Sequence, residues 1–488
     1  MPAVPLPLAS YALPSPQASS ARLLNCFAEQ APPQGKSPVI LRRCAGIHEF
    51  TGTETTSART RGMVLVSDPV LGTLPYVVIG STLSQIAENG DLDDISGDAI
   101  DGSGLVSMAA NQSGIVVVVD PETGYAYATN SSNPTAIARI TDPVFLGFGG
   151  VGDVIFIDGY FLFRVKGSAR FFHSDLNALT FNALNVATAE GAPDDLVGMI
   201  ANLRTAVLPG ETSMEIWYNA SNEVGSAFSR SPDGFIEIGC AARASIANQD
   251  NSVFWLANDR TFRKLTGVTP EKISNYGIDA IVTRMSVIED CFAVPFTQEG
   301  HLFVAWTFPF EGRTLVYDCS TTLWSERDSS QTDSGATTGI WAASCVLMAY
   351  GKQLVGSYLL GEVGYFDSTL MTEFEDENPM RISWTYEAVY DQGARLTHNR
   401  LEVITNVGAG LSSGQGSNPL MTLFVSNDGG ETFTAKPLRS MGAQGKYQTR
   451  MVWWKLGQSR NRVYRIAVTD PVPVFALDTL VDVGPGRP

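Results

Sequence analysis

The chain has 488 residues, 44% hydrophobic and 17% charged, a balance that supplies a large core and excludes a disordered chain, which needs the opposite composition. At about 100–200 residues per domain, the length implies two to four domains. Its 33 Lys and Arg against 50 Asp and Glu leave a net charge of −17, which argues against a grip on nucleic acid, because that affinity comes from neutralising phosphates.

Residues 1–60 form the first unit. Proline recurs at 2, 5, 7, 14, 16, 32, 33 and 38, which predicts an extended N-terminal arm, poor at joining ladders and laid across a neighbouring surface. Within it, 21–30 is one of two short helix candidates. The opening stretch has neither a basic region nor an apolar one, so no signal peptide is expected.

From 61 to 370 the pattern is β. Short runs rich in Val, Ile, Phe, Tyr and Thr alternate with clusters of Gly, Asn, Asp and Ser, as at 63–66, 76–79, 114–119, 154–158, 161–165, 214–218, 253–256, 302–308, 315–317 and 354–358. A phrase of strand, turn and strand followed by an aromatic near an acidic residue or Gly recurs at Tyr125, Tyr160, Tyr317 and Tyr365. Its spacing is irregular, yet several small sheets with such phrases fit a β-propeller, with an irregular pair of β-sandwiches as the alternative. Tyr125, Tyr160, Trp255, Tyr317 and Tyr365 are then expected between blades. The second helix candidate is 276–289. The longest apolar runs are strand-sized, whereas a membrane helix needs about 20 apolar residues, so no membrane insertion is expected.

The acidic stretch 371–380 reads as a boundary. Beyond it, to 488, alternating runs at 382–389, 400–405, 421–425, 450–454, 463–468 and 474–483 suit a C-terminal β-sandwich. The whole is an all-β chain: propeller, then sandwich, with the Pro-rich arm in front.

Candidate chemistry is sparse. His48, His173, His301 and His398 are far apart and share no metal-binding spacing. No nucleophile elbow, Walker loop or dinucleotide fingerprint occurs. Glycines at 147–152 lack the ending of a phosphate loop and read as a turn. Acidic neighbours Asp91, Asp93 and Asp94, Asp194 and Asp195, and Glu289 and Asp290 read as turn formers, although a glycosidase would also need two carboxylates. The cysteines, Cys26, Cys44, Cys240, Cys291, Cys319 and Cys345, contain no CxxC pair and read as buried thiols. No catalytic residue, cofactor or metal is expected.

Two local features stand out. Ser426, Asp428, Gly430, Thr432 and Phe433 match an Asp-box, Ser-x-Asp-x-Gly-x-Thr-aromatic. Its Asp can accept turn N–H groups, its glycines allow positive φ, and its aromatic packs beneath, so it reads as a structural hairpin lock. Sialidases carry several such boxes; this chain shows one. The second feature is 436–465, the one basic concentration, where Arg450, Lys455, Arg460, Arg462 and Arg465 interleave with Trp453 and Trp454. Arginine with aromatics marks interfaces, and in an acidic chain these residues form a candidate docking face for another subunit, with contact to DNA in a lumen as the other possibility.

Several stretches, taken in order, resemble one family. They are Leu24-Asn25-Cys26-Phe27-Ala28-Glu29, Leu41-Arg42-Arg43-Cys44-Ala45-Gly46-Ile47 with Phe50, Gly104-Leu-Val-Ser-Met-Ala109, Ile155-Phe-Ile-Asp-Gly-Tyr-Phe161, Phe172-His-Ser-Asp-Leu-Asn177, Glu215-Ile-Trp-Tyr-Asn219, Ser252-Val-Phe-Trp-Leu256, and in the last fifth Gly445-Lys-Tyr447, Arg450, Trp453 to Gly457 and Arg462 to Asp470. Together they resemble the tail hub proteins of short-tailed phages, also called packaged DNA stabilization proteins. Ala45 stands where that family commonly has Pro, a local departure at one turn. The resemblance implies a virion structural protein, assembled in the host cytoplasm. It implies a homo-oligomeric ring, a hexamer, beneath the head-to-tail adaptor protein, with genome DNA passing through it without sequence-specific binding. Tailspike, fibre or needle proteins are the implied partners. A carbohydrate-active propeller, glycosidase or lectin, is the competing reading.

Overall fold

The computed structural model describes residues 4–31, 37–52, 58–68, 72–131, 136–222, 225–329, 339–374 and 379–486. Seven small antiparallel sheets follow one another along the chain. The first blade is Thr60–Asp68, Gly72–Ile79, Thr82–Ile86 and Leu92–Asp94, and the second is Ser107–Ala110, Ile115–Asp120, Tyr125–Asn130 and Ala138–Arg139. The third to sixth blades begin at Val151, Ile200, Ala247 and Phe292. The seventh is Ala343–Ala349, Lys352–Ser357 and Val363–Asp367, completed by Gly46–Glu49 from the start of the chain. The first strand of each blade lies innermost; that of the seventh packs on that of the first, so the ring closes. The propeller expectation holds.

The apolar runs of the sequence follow from this geometry. A blade is buried on both faces, so a strand that points successive side chains to opposite sides must be apolar throughout. In the first blade, Tyr76 and Val78 enter the core shared with the second, while Val77 and Ile79 enter the core shared with the seventh. In the second, Val116 and Val118 face the first blade, and Val117 and Val119 the third. Val253 with Trp255, and Phe254 with Leu256, divide in the same way between the fourth and sixth blades. Of the aromatics expected between blades, Trp255 and Tyr317 are buried, and Tyr125, Tyr160 and Tyr365 are half-buried.

The sandwich has two sheets. One runs Ser20–Leu24, Ile382–Thr385, Asn461–Val468 and Leu420–Ser426; the other runs Cys26–Gln30, Val39–Arg43, Phe475–Pro485, Leu396–Thr405 and Met451–Trp454. Between them Leu23, Leu41, Trp384, Tyr386, Leu401, Leu423, Trp453, Tyr464, Ile466 and Val481 form one core. The first sheet continues into the sixth blade, where Leu24 pairs in parallel with Glu326.

The N-terminal segment departs from expectation. It is not an extended arm free to lie on a neighbour: its strands supply three members of the sandwich and the closing strand of the propeller. The prolines at 5, 7, 14 and 16 lie outside those strands, while those at 2, 32 and 33 lie outside the described residues. The helix expected over 21–30 is two strands. They meet at Asn25, whose φ of 53° breaks any helix and turns the chain from one sheet to the other. The second candidate is a helix over Tyr276–Thr283, capped by the Asn275 side chain on the Ile278 N–H. A short helix not foreseen, Pro143–Gly147, is capped by Asp142 and inserts Phe145 between the second and third blades. Of the acidic stretch 371–380, residues 375–378 lie outside the described residues, and Glu373 is buried.

Candidate functional site: axis, junction and surfaces

The four histidines are engaged in structure. The His173 Nε2 accepts the Ala227 N–H at 3.0 Å, and burial lowers its pKa. His301 sits 2.7 Å from Asp318, His398 is buried 2.7 Å from the Tyr464 hydroxyl, and His48 stacks on Tyr365. All six cysteines are free, and burial pushes their thiols up, Cys240 and Cys345 to about 11. Raised in this way, the thiols are protonated at neutral pH and weak nucleophiles. Among the described residues no cluster of three or more His, Cys, Asp or Glu is placed to hold a metal. Asp194 accepts the Thr212 and Ser213 N–H groups, 18 and 19 residues on, so it ties down a distant turn and does not form one of its own.

The propeller axis is narrow and crossed by charge. Residues of all seven blades or the loops leading into them, among them Arg61, Ser107, Asp153, Ile200, Arg243, Phe292 and Ser344, enclose about 230 Å³. Asp153 is held between Arg164 at 2.6 Å and Arg243 at 3.0 Å, and Arg243 also donates to the Leu105 carbonyl. One mouth carries Arg59, Glu122, Glu289, Asp290 and Tyr358. Burial raises the Asp290 carboxyl, and the Ser103 N–H holds that of Glu122 low.

The Asp-box forms a closed turn. Asp428 accepts the Ser426 hydroxyl, the Glu431 N–H at 3.1 Å, and the Thr432 N–H and hydroxyl. The Ser426 and Thr432 hydroxyls hold its carboxyl well below the usual carboxylate range. Gly429 and Gly430 take φ of 79° and 105°, open to glycine at no steric cost. A Cβ on Gly429 would meet Gln17, and one on Gly430 would approach Ser20 and Pro16, so the turn packs under the N-terminal segment. Phe433 lies under the Arg465 guanidinium at 3.8 Å.

The structure separates the basic and aromatic residues of 436–465. Trp453 is in the sandwich core with its indole donating to the Pro437 carbonyl, and Arg462 is 1% exposed and donates to the Leu456 carbonyl. Both belong to the interior, because side chains alternate along a strand and every second one must point inward. Arg465 is half-buried over the Asp-box. Arg450, Trp454, Lys455 and Arg460 remain on the outside. Arg450 grips Glu402 with two bonds of 2.8 Å and lowers its pKa, Trp454 is 60% exposed beneath Arg400, and Arg460 donates to the Gly393 carbonyl.

A buried polar junction between propeller and sandwich was not foreseen. Asn25 donates to the Asp328 and Arg381 carbonyls at 2.8 and 2.6 Å and accepts the Asp328 N–H at 3.0 Å. Arg327 donates to the Ala45 carbonyl and lies 4.1 Å over the Trp341 ring, whose indole donates to Glu373. Burial raises the Glu373 carboxyl, with Arg327 opposing. Arg22 of the sandwich and Arg313 of the sixth blade share Glu326; burial would raise that carboxyl, and the two guanidiniums more than offset it. The sequence signal was Asn25 amid apolar residues, since Asn is enriched at positive φ.

The two domains match two family models in order: residues 19–371 match the β-propeller of bacteriophage P22 Gp10, and 381–483 match its β-sandwich. The chain belongs to this family of phage structural tail proteins, and its place is the virion. A search of curated proteins finds no match. Among solved structures, the chain is similar to the computationally designed protein Ika8 (TM-score 0.39, 11% identity, 71% of this chain and 99% of that one). It is also similar to YCF48 from Cyanidioschyzon merolae (0.42, 9%, 66% and 99%) and to the extracellular domain of the putative hybrid two component system BT4673 from B. thetaiotaomicron (0.43, 9%, 84% and 47%). Likenesses this loose bear on nothing further. Among the described residues no helix is long and apolar enough to cross a membrane.

Proposed function

We propose that copies of this chain form a closed ring, a hexamer, below the head-to-tail adaptor of the phage. There the ring extends the DNA channel, helps retain packaged DNA and docks tailspikes, fibres or a plug, with assembly in the host cytoplasm and no catalytic activity. The observation that carries this reading is the ordered match of both domains to a phage tail family. The propeller axis adds a constraint. Duplex DNA has a major groove alone about 12 Å wide, and it does not fit a cavity of about 230 Å³ bridged by Arg243 and Asp153. On this reading the DNA channel runs between copies, with several of them around an axis. An interface between unlike faces closes into a ring or else makes filaments.

Native mass measurement and negative-stain imaging of the purified chain, alone and with the adaptor, test this reading. Rings of a fixed copy number, stabilised by adaptor, are the expected result. A monomer under every condition, with affinity for glycans, would favour the carbohydrate-active propeller instead.

A further inference from the structure

Charge is segregated along this chain. From 62 to 138, across the first two blades, there is no Lys or Arg and there are nine acidic residues. From 432 to 469, in the sandwich, there is no Asp or Glu and there are eight basic residues. The fold puts an exposed part of each run beside a sheet edge, while Asp68, Asp120 and Arg462 are buried. Leu92–Asp94 is the outermost strand of the first blade, paired on one side with Thr82–Ile86. Around it Glu88, Asp91, Asp93, Asp94, Asp98 and Asp101 are all exposed, and none forms an ion pair among the described residues. Met451–Trp454 is an edge of the second sandwich sheet, paired with Leu396–Thr405. Beside it Trp454 is 60% and Tyr447 72% exposed, and Lys446 and Lys455 have no carboxylate partner among the described residues.

The two edges belong to separate parts of one copy: the sandwich grows from the sixth blade, two blades round the ring from the first. We propose that in the assembly the acidic edge of the first blade of one copy docks on the basic, aromatic edge of the sandwich of the next. This rests on the ring reading above and names its two unlike faces. The N-terminal segment is not a free arm for this role, because its strands are folded into its own chain. Like charges along each edge oppose pairing with itself, while opposite charges permit the unlike contact. The exposed Trp454 and Tyr447 supply the apolar anchors that such contacts use. Screening limits these charges to about 8–10 Å at physiological salt, so the two edges must meet closely.

The test uses the full chain, with mass measured by sedimentation at low and high salt. Lys446→Glu with Lys455→Glu, and separately Asp91→Lys with Asp93→Lys, are expected to weaken self-association at least ten-fold; circular dichroism checks that each variant is folded. The combination of all four changes is expected to restore it. Assembly indifferent to both reversals, or broken by both and not restored by the combination, would overturn the pairing. So would a basic-edge variant that keeps its assembly and loses binding to a short DNA duplex, which would assign that edge to the genome. A wild-type chain that stays monomeric sinks the ring reading itself, a result distinct from rings that ignore the charge reversals.

Discussion

The propeller and the sandwich are both antiparallel β, yet they are assembled in opposite ways. Six blades are each made from one continuous stretch of chain, and each strand pairs with its sequence neighbour. The sandwich joins the two ends: Arg22 lies opposite Thr385, and Leu41 opposite Ala476. Local pairing forms at small entropic cost, whereas closing a loop the length of the propeller must be offset by the contacts it makes. Those contacts are concentrated where Ser20–Leu24 and Cys26–Gln30 enter the sandwich, and where Gly46–Glu49 completes the seventh blade. The N-terminal segment is thus the clasp of both domains.

The largest expected effect follows directly. The segment 379–486 expressed alone lacks the strands that supply Leu23, Cys26, Ala28 and Leu41 to the core. It should show no cooperative thermal transition, and adding residues 1–52 in trans should restore one. A cooperative transition for the isolated segment would break the comparison.

Next in size is Asn25→Ala. It leaves the Asp328 N–H and two buried carbonyls unpaired and puts Ala at positive φ. A loss of about 4 kcal/mol or more in denaturant unfolding is expected, since each of these unmet buried groups costs about 1–3 kcal/mol and left-handed backbone adds about 1–2. Asn25→Gly, which keeps the φ, should recover part of it.

The pH dependence sharpens the contrast: burial lowers His173 in the propeller, but the large shift is that of His398 in the sandwich. Burial first, then Arg462, lowers the His398 pKa to about 4. A His that is neutral when folded and readily protonated when unfolded gives stability that is full above its unfolded pKa, near 6.5, and is lost as pH falls toward the folded value. Melting should therefore show a loss on the order of 3 kcal/mol between pH 6.5 and about 4. His398→Gln should flatten that slope, and an unchanged slope would assign it to other groups.

Smallest is Asp428→Ala. The box is near the surface but ties down Thr432 and packs against residues 16–20. A loss of about 1–2 kcal/mol is expected, in the range of a lost turn or cap acceptor, with the fold intact. Because the carboxyl lies below the usual range, its contribution is full above the ordinary Asp pKa and is lost progressively as pH falls below that toward the folded value. Glycosidase activity lost on this substitution would contradict the non-catalytic reading.

Much of this was legible in residues. The run Val116–Val119 was readable as a strand, and Ser426 to Phe433 as a hairpin lock, because both depend on neighbours in sequence. The fate of residues 20–30 was not. Its proline-rich flanks suggested an arm and its spacing a helix, and what overrode both was pairing with strands from the other end of the chain. Trp453 and Trp454 are adjacent and alike in composition; one is core and the other surface because the strand alternates, and its partner Leu396–Thr405 sets which side is inside.

By itself the sequence determined an all-β chain and the turn chemistry of the Asp-box, since period-two patterning, Gly and Asn at turns and an Asx acceptor act over a few residues; it favoured a propeller followed by a sandwich over a pair of sandwiches. The tertiary structure decided that seven blades close with Gly46–Glu49, that Asn25, Arg327 and Glu373 form a buried junction, and that exposed parts of the acidic and basic runs lie beside two separate edges. Those outcomes depend on which distant strands meet, and burial then assigns each charge its cost and its partner.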